Sequence, residues 1–351
     1  MLSSLAHRLM AGPDDLLTLV LRLLLLPLTL IYLLVIATKN ALYDAGLIKP
    51  KRVDVPVVSV GNITVGGTGK TPLVVHLANA AHAAGRKVAV VSTGYGASDA
   101  AGVPDEVGLI AERCPGVDVI VAPDKLPGAR QAAERGADLI LVDDGLQTRH
   151  LHRDLEIVVV DARAPLGNGW VLPAGSLREP ASAISRAGAL VLTHHEQLHD
   201  EPLIAVENRL RAYNRSASIV YASHRPRGVR PVTGGVEADP STLAGQELFL
   251  FCGIASPEGF VDTVEALGAE VTGCHAFGDH HAFGPADMAA VRAQAKTARL
   301  VCTEKDAAKV AAMPGNEDVI CLTIDLELDG ELPPMPTSVV EDAVDEPAGA
   351  H

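Results

Sequence analysis

Residues 60–72 read VGNITVGGTGKTP. The stretch lies between a strand-like run, VPVVSVG at 55–61, and a helical stretch from Lys70 to about Ala84. A glycine-rich turn in that setting brings backbone N–H groups inward around an anion, and the helix N-terminus adds the positive end of its dipole. Gly66, Gly67, Thr68, Gly69, Lys70 and Thr71 are therefore candidate phosphate contacts, Lys70 for the β- and γ-phosphates of a nucleotide and Thr71 for Mg²⁺. The usual spelling, G-x-x-x-x-G-K-[ST], puts a glycine where this chain has Thr64. The expectation is that Gly66 and Gly67 make the turn instead. A second run, ADLILVDD at 137–144, is an apolar strand ending in Asp143-Asp144. It has the form of a Walker B element, whose carboxylate orients Mg²⁺. Neighbouring side chains on a strand face opposite ways, so the two acids have different tasks, one at the metal and one at an adjacent group.

Transfer of a phosphoryl group to a hydroxyl also needs a residue that orients and deprotonates the nucleophile. Two places offer one: Asp105-Glu106 in GVPDEVGLIA and His280-His281 in FGDHHAFGPAD. Each has a plain structural alternative, a solvated acid pair in the first case and a cap ahead of Pro285 in the second. NGWVLPAGSLREP at 168–180 carries Arg178-Glu179, either a neutraliser of phosphate charge or a surface ion pair. In TEKDAAK at 303–309, Thr303 and Asp306 have capping-box spacing, with nucleotide contact as the other reading.

These groups need a scaffold. Strand-like apolar runs at 55–61, 87–92, 117–122, 137–144, 155–162 and 188–194 alternate with helical stretches. This is the pattern of a parallel sheet covered on both faces. HRPRGVRPVTGGVEADPSTL at 224–243, rich in Pro and Gly, reads as a linker. Beyond it, strands at 247–255 and 298–304 and helices at 257–268 and 285–296 form a second α/β unit. The expected organisation has five parts: a membrane-anchor helix over 1–45, a nucleotide-binding domain over 46–223, a linker over 224–244, a smaller C-terminal α/β domain over 245–330, and an acidic disordered tail over 331–351.

Composition narrows the class. The 351 residues carry a net charge of −14, which argues against a nucleic-acid binder. Residues 325–351 hold eight carboxylates and no Lys or Arg, the mark of a solvated tail. The five cysteines are scattered and include no C-x-x-C pair, so neither a disulfide framework nor a zinc site is indicated. LLTLVLRLLLLPLTLIYLLVIA at 16–37 is 22 residues with Arg22 as its one charge, long enough to cross a bilayer core of about 30 Å. It reads as a single span or an interfacial anchor, with a very apolar core helix as the alternative. If the loop at 60–72 binds nucleotide, the chain after residue 40 is cytoplasmic.

Taken together and in order, GNITVGGTGKTP, DDGLQTRHLHRDLEIVVVDA, NGWVLPAGSLREP, FCGIASPEGF, FGDHHAF and TEKDAAK resemble the tetraacyldisaccharide 4'-kinase (lipid A 4'-kinase) family over roughly residues 15–325. The resemblance implies a P-loop NTPase-like α/β kinase at the cytoplasmic face of the inner membrane. With ATP and Mg²⁺ it would phosphorylate the 4'-hydroxyl of a tetraacylated glucosamine disaccharide 1-phosphate, and no protein partner is evident. It assigns hydroxyl activation to an Asp–His pair, here Asp105 and His280, and places Arg178 and Glu179 at the site with Asp144. It also departs from the family spelling at Thr93, Thr148 and Val103–Val107. The departures leave room for a kinase of another membrane glycolipid. A reading from outside the kinases is a membrane-anchored nucleotide-hydrolysing switch.

Overall fold

The computed structural model describes residues 9–10, 15–94, 105–198, 202–254, 256–279 and 281–338, residue 105 by its backbone alone. Among the described residues, eleven strands form one sheet in the order β3-β2-β4-β1-β5-β6-β7-β11-β10-β8-β9. The first block comprises β1 (Val57–Asn62), β2 (Val88–Ser92), β3 (Asp118–Val121), β4 (Leu139–Asp143), β5 (Leu155–Asp161), β6 (Ala189–Thr193) and β7 (Ser218–Pro231). The second comprises β8 (Glu247–Cys252), β9 (Glu270–Ala276), β10 (Arg299–Thr303) and β11 (Ile320–Asp329). Pairing is parallel throughout except between β7 and β11. The fully buried strands β1, β2, β4 and β6 are rich in Val, Leu and Ile, as expected of a parallel sheet with both faces covered.

In the first block, α2 (Lys70–Ala83) and α3 (Asp105–Arg113) pack on one face through Leu73, Val74, Leu77 and Ile110. On the other face lie α4 (Lys125–Glu134), through Leu126, Ala129 and Ala132, and α5 (Leu203–Arg211), through Val206 and Leu210. The second block is covered by α6 (Pro257–Ala266) through Phe260 and Val264, and by α7 (Pro285–Ala295) with α8 (Glu304–Ala311) through Met288, Val291, Ala307 and Val310.

Residues 224–231, read from sequence as the start of a linker, are strand. β7 pairs antiparallel with β11 from Tyr221↔Asp329 to Pro231↔Ile320 and so joins the two blocks edge to edge. Its prolines are tolerated because the register shifts between Thr323 and Ile324, opposite Gly228 and Pro226. The expected tail also begins later than residue 331. Leu332 and Met335 pack on the core of the first block, and Arg86 Nη1 donates to the Pro336 carbonyl at 2.8 Å. The rest of that tail, from residue 339, lies outside the described residues.

Helix α1 (Leu16–Asp44) has a mean hydropathy of 2.6 over its most apolar window and is long enough to cross a membrane. Its exposure is inverted relative to a soluble core helix. Leu16, Leu24 and Leu34 are 78%, 71% and 68% exposed, whereas Thr18, Arg22 and Thr29 are buried. The apolar face is left outward and a narrow polar stripe is turned to the protein, which removes the core-helix reading.

Candidate active site

The phosphate loop runs from the end of β1 to the start of α2. Gly66 and Gly69 are the residues with positive φ, +106° and +87°. Gly67 is not one of them, so the turn is made by Gly66 and Gly69 rather than by the Gly66-Gly67 pair. Thr64 explains the missing first glycine. It forms an antiparallel bridge with Leu177, flanked by Val65 N–H donating to Ser176 O at 2.8 Å and Arg178 N–H donating to Ile63 O at 2.8 Å. Extended backbone at residue 64 suits any side chain, so no glycine is required.

The two aspartates separate as strand geometry demands. Asp143, the last residue of β4, is 2% exposed. Ser92 Oγ donates to its Oδ2 at 3.3 Å, while Oδ1 is buried without a hydrogen-bond partner. Burial first, then the Glu106 carboxylate, push Asp143 up to about 6. Asp144 steps into left-handed backbone at φ +53°. Arg178 Nη1 grips both its oxygens at 2.8 and 2.7 Å, and Lys70 Nζ stands 3.9 Å away. Burial works against the Asp144 charge, but Lys70, Arg178 and Lys125 outweigh it and hold the carboxyl below its ordinary value. Lys125 Nζ donates to the Asp144 carbonyl. Lys125 and Gln147, whose Oε1 accepts from Arg178 at 3.3 Å, are site residues that sequence reasoning missed. Gln147 could have been found by its place three residues after Asp144, whereas Lys125, at the start of α4, carried no such signal.

Arg178 and Glu179 do not pair with each other. Glu179, 1% exposed, accepts from Arg186 Nη2 at 3.0 Å on both oxygens and from Asn40 Nδ2 of α1 at 2.6 Å. It ties α1 to the site loop rather than facing Asp144. Tyr32 Oη of α1 donates to the Arg178 carbonyl at 2.8 Å, and Lys39 Nζ donates to Gln147 O at 3.0 Å. The outward apolar face of α1 and the residues that hold Asp144 are thus within one side chain of each other.

Of the pair expected to activate the hydroxyl, Asp105 opens α3 and its side chain is outside the described residues, as is the whole of His280. Their neighbours are placed. Burial raises the Glu106 carboxyl, against Lys70 and Lys305, which puts this acid within electrostatic reach of the phosphate-loop lysine. Lys305 Nζ, from α8, donates to Asp279 Oδ1 at 2.9 Å, next to residue 280. His281 is committed elsewhere: its Nε2 meets Asp287 Oδ2 at 3.1 Å and its ring stacks on Phe277 at 4.4 Å. Thr303 and Asp306 meet, but not as a capping box. Thr303 Oγ1 donates to Asp306 Oδ2 at 2.7 Å, and that oxygen also accepts from Gly253 N–H at 2.9 Å, locking α8 to the end of β8.

Buried side-chain atoms without hydrogen-bond partners gather around the loop: both amide atoms of Asn62, Thr68 Oγ1 and Asp143 Oδ1. Unpaired polar groups in a buried site are costly unless a ligand completes them. A phosphate cradle, an ionised acid gripped by two cations and an unpaired buried carboxylate oxygen together suit a nucleoside triphosphate with a divalent cation.

Residues 21–339 match the family described as Tetraacyldisaccharide-1-P 4'-kinase. A tetraacyldisaccharide 4'-kinase from Anaeromyxobacter dehalogenans strain 2CP-C is 43% identical over 300 residues, 78% of this chain and 77% of that protein. One from Syntrophus aciditrophicus is 38% identical over 317 residues, 83% and 85% of the two chains. Among solved structures, LpxK from Aquifex aeolicus in complex with ATP is 30% identical, with a TM-score of 0.68, covering 88% of this chain and 95% of that one.

Proposed function

The chain belongs to the tetraacyldisaccharide 4'-kinase family, an ATP-dependent kinase of lipid A biosynthesis, and from that premise we propose how its residues carry out the transfer. Backbone N–H groups from Gly66 to Thr71 and the Lys70 ammonium hold the triphosphate, with the α2 N-terminus supplying further positive potential. Asp144 is fixed by Arg178 and Lys70 where the γ-phosphoryl group is exchanged, so the two cations are pre-positioned for charge that develops in transfer. Thr71, Asp143 and Asp144 would hold Mg²⁺, and the unpaired Asp143 Oδ1 fits that role. Such an ion supplies charge neutralisation between the β- and γ-phosphates.

Asp105 and His280 activate the 4'-hydroxyl. A carboxylate beside an imidazole fixes its tautomer and favours its protonated form, so the ring can take the hydroxyl proton. Glu106, next along α3, is raised toward its neutral form by burial and adds a second acid at this edge. Glu179 acts through Arg186 and Asn40 by keeping the Arg178 loop against α1.

The acceptor is a lipid disaccharide, and α1 accounts for how it arrives. The outward leucines sink into the acyl region of the inner membrane's cytoplasmic leaflet, while Tyr32, Lys39 and Asn40 stay bonded to the site. Because polar contacts run along the helix from Thr29 to Asp44, it lies in the interface rather than crossing. The sugar then reaches Asp144 with its chains still in the bilayer.

The observation that carries this reading is Asp144, held between Lys70 and Arg178 at the mouth of the phosphate loop. The test is transfer of labelled γ-phosphate from ATP to tetraacyldisaccharide 1-phosphate by detergent-purified protein. Asp105→Ala and His280→Ala should each lower turnover by about 10²-fold or more with ATP affinity retained. Full activity in both would remove them from the mechanism. Hydrolysis of ATP at the same rate without acceptor would favour a nucleotide switch instead.

A further inference from the structure

Helix α8 carries two lysines, Lys305 and Lys309, inside TEKDAAK. Residues four apart on a helix share a face. Here that face meets the chain that runs from β9 to α7, and the two ammonium groups take hold of it at different points. Lys305 Nζ donates to Asp279 Oδ1 at 2.9 Å, and Lys309 Nζ donates to the His281 carbonyl at 3.1 Å. The residue between those two holds is His280. The helix that supplies the lysines is itself fixed. Thr303 Oγ1 and Gly253 N–H both donate to Oδ2 of the fully buried Asp306. Lys309 Nζ stands 3.8 Å from the other oxygen, Asp306 Oδ1, so its buried charge is balanced where it lies. Gly253, at the end of β8, lies so close that a Cβ there would stand 3.2 Å from His281 Cβ and 3.3 Å from the Gly278 carbonyl oxygen.

We propose that Lys305 and Lys309 are positioning residues for the transfer, holding the chain on both sides of His280 in register with α3, whose first residue is Asp105; the inference rests on the Asp105–His280 reading above. Helix α3 packs in the first block and residues 279–281 belong to the second, so neither block alone sets the distance between the two members of the pair. Lys305 lies where both are felt. Burial raises the Glu106 carboxyl, Lys70 and then Lys305 act against that, and Asp144 and Asp279 add to it. One ammonium is thus bonded to the acid that precedes His280 and within electrostatic reach of the acid that follows Asp105. Without it, Asp279 and Glu106 would face each other across the block boundary as two acids, and like charges repel. Lys309 has a different task. It grips a main-chain carbonyl, so it fixes the backbone at residue 281 whatever the charge of the side chains around it. The His281 ring supports the same segment from its far side, stacked on Phe277 and bonded to Asp287. The stretch TEKDAAK therefore divides by role: Thr303 and Asp306 anchor α8, and the two lysines hold the base. Displacing a reacting group by about 1 Å costs on the order of 10²-fold in rate, so holds of this kind bear directly on turnover.

The test follows kcat and the KM for ATP of the full-length protein in detergent, with Mg²⁺ and tetraacyldisaccharide 1-phosphate. Lys305→Met keeps the length of the side chain and loses its charge. It should lower kcat by about tenfold or more and leave the KM for ATP within about twofold. Lys305→Arg, which keeps a charged donor, should recover most of the loss. Lys309→Met should act in the same direction. Should that variant fail to fold, Lys305→Met alone decides, since its side chain is 22% exposed against 6% for Lys309. A double variant separates positioning from general damage. If Lys305 acts through His280, adding Lys305→Met to His280→Ala should cost no more than about twofold beyond His280→Ala alone. The full loss in both backgrounds overturns the inference, as does unchanged kcat in Lys305→Met. A raised KM for ATP with kcat retained also overturns it, because Lys305 would then be a nucleotide contact. Full activity of His280→Ala removes the base assignment itself, and the inference with it.

Discussion

The two flanks of the phosphate loop are built on opposite electrostatic plans. Toward β4, Asp143, Asp144, Lys125 and Glu106 lie so close to one another, with Lys70 and Arg178 beside Asp144, that the proton affinity of each of these four is shifted. Toward β6 and β7, burial keeps the His224 ring uncharged beside the His194 ring, 5.0 Å away, and the one carboxylate, Asp161, is paired with Arg163. The first flank resembles a place where charge is redistributed during a reaction, and the second a place where it is not. The flanks also differ in what holds them. The neutral flank is made by adjacent strand ends of one block. The charged flank needs α3, and α3 is bolted to the second block: Arg113 Nη1 donates to Glu304 Oε2 of α8 at 2.7 Å and to the Ile324 carbonyl at 3.0 Å, while its other nitrogen pairs with Asp325.

If the charged flank carries the chemistry, its central acid is where substitution should hurt most. Asp144→Asn leaves shape and burial nearly unchanged but leaves Arg178 and Lys70 without their shared anion. Turnover should fall by about 10²–10³-fold, with ATP affinity changed far less. Equal losses in turnover and ATP affinity would mean that Asp144 serves binding alone, and the contrast between the flanks would collapse.

The next effect separates the flanks by stability. Arg113 and Glu304 are 10% and 6% exposed as side chains, so Arg113→Ala strands a buried carboxylate. Unfolding free energy should drop by about 3 kcal/mol, measured by urea titration. Arg113→Met with Glu304→Leu should restore most of it, since a well-packed apolar pair replaces a buried ion pair at little cost. Unchanged stability in Arg113→Ala would mean that α3 does not depend on the second block, and the contrast in what holds the two flanks would go.

This division also marks what was legible in the sequence. The loop, β4 and the parallel first block are local: alternation of apolar runs with helices, glycines before Lys70, and Asp143-Asp144 at a strand end all lie within short windows. Helix α1 was legible by composition, but its docking on the site loop was not, because Tyr32–Arg178 and Asn40–Glu179 contacts join residues more than a hundred positions apart. The same holds for β7. SHRPRGVRP has the composition of a linker, and only β11, far downstream, supplies the edge that makes it a strand. Glu106 shows the limit most directly. It stood beside Asp105 in sequence as one acid of a pair, and what singles it out is Lys70 and Lys305, which the fold brings from two different blocks. His194 and His224 carried no sequence signal at all, since a histidine after an apolar strand has many ordinary uses.

The smallest effect tests the neutral flank without any ligand. His224 is half-buried and titrates near 4, below the ordinary imidazole value of about 6.5. The unfolded chain therefore takes up a proton, as pH falls from about 6.5 to 4, that the folded chain refuses. More protons on the unfolded state means stability that is complete above about pH 6.5 and drains as pH falls toward 4. Partial solvent access reduces the effect to on the order of 1 kcal/mol. Urea unfolding at pH 7 and pH 4.5, with wild type compared with His224→Gln, reads it directly. The acids of the charged flank titrate in both proteins and cancel in the difference. The variant should lose about 1 kcal/mol less than wild type between the two pH values, and the gap should close above pH 7. The opposite sign, with wild type gaining relative stability as pH falls, would mean that Asp161 draws a proton onto His224 in the folded protein. The second flank would then be a charged site like the first.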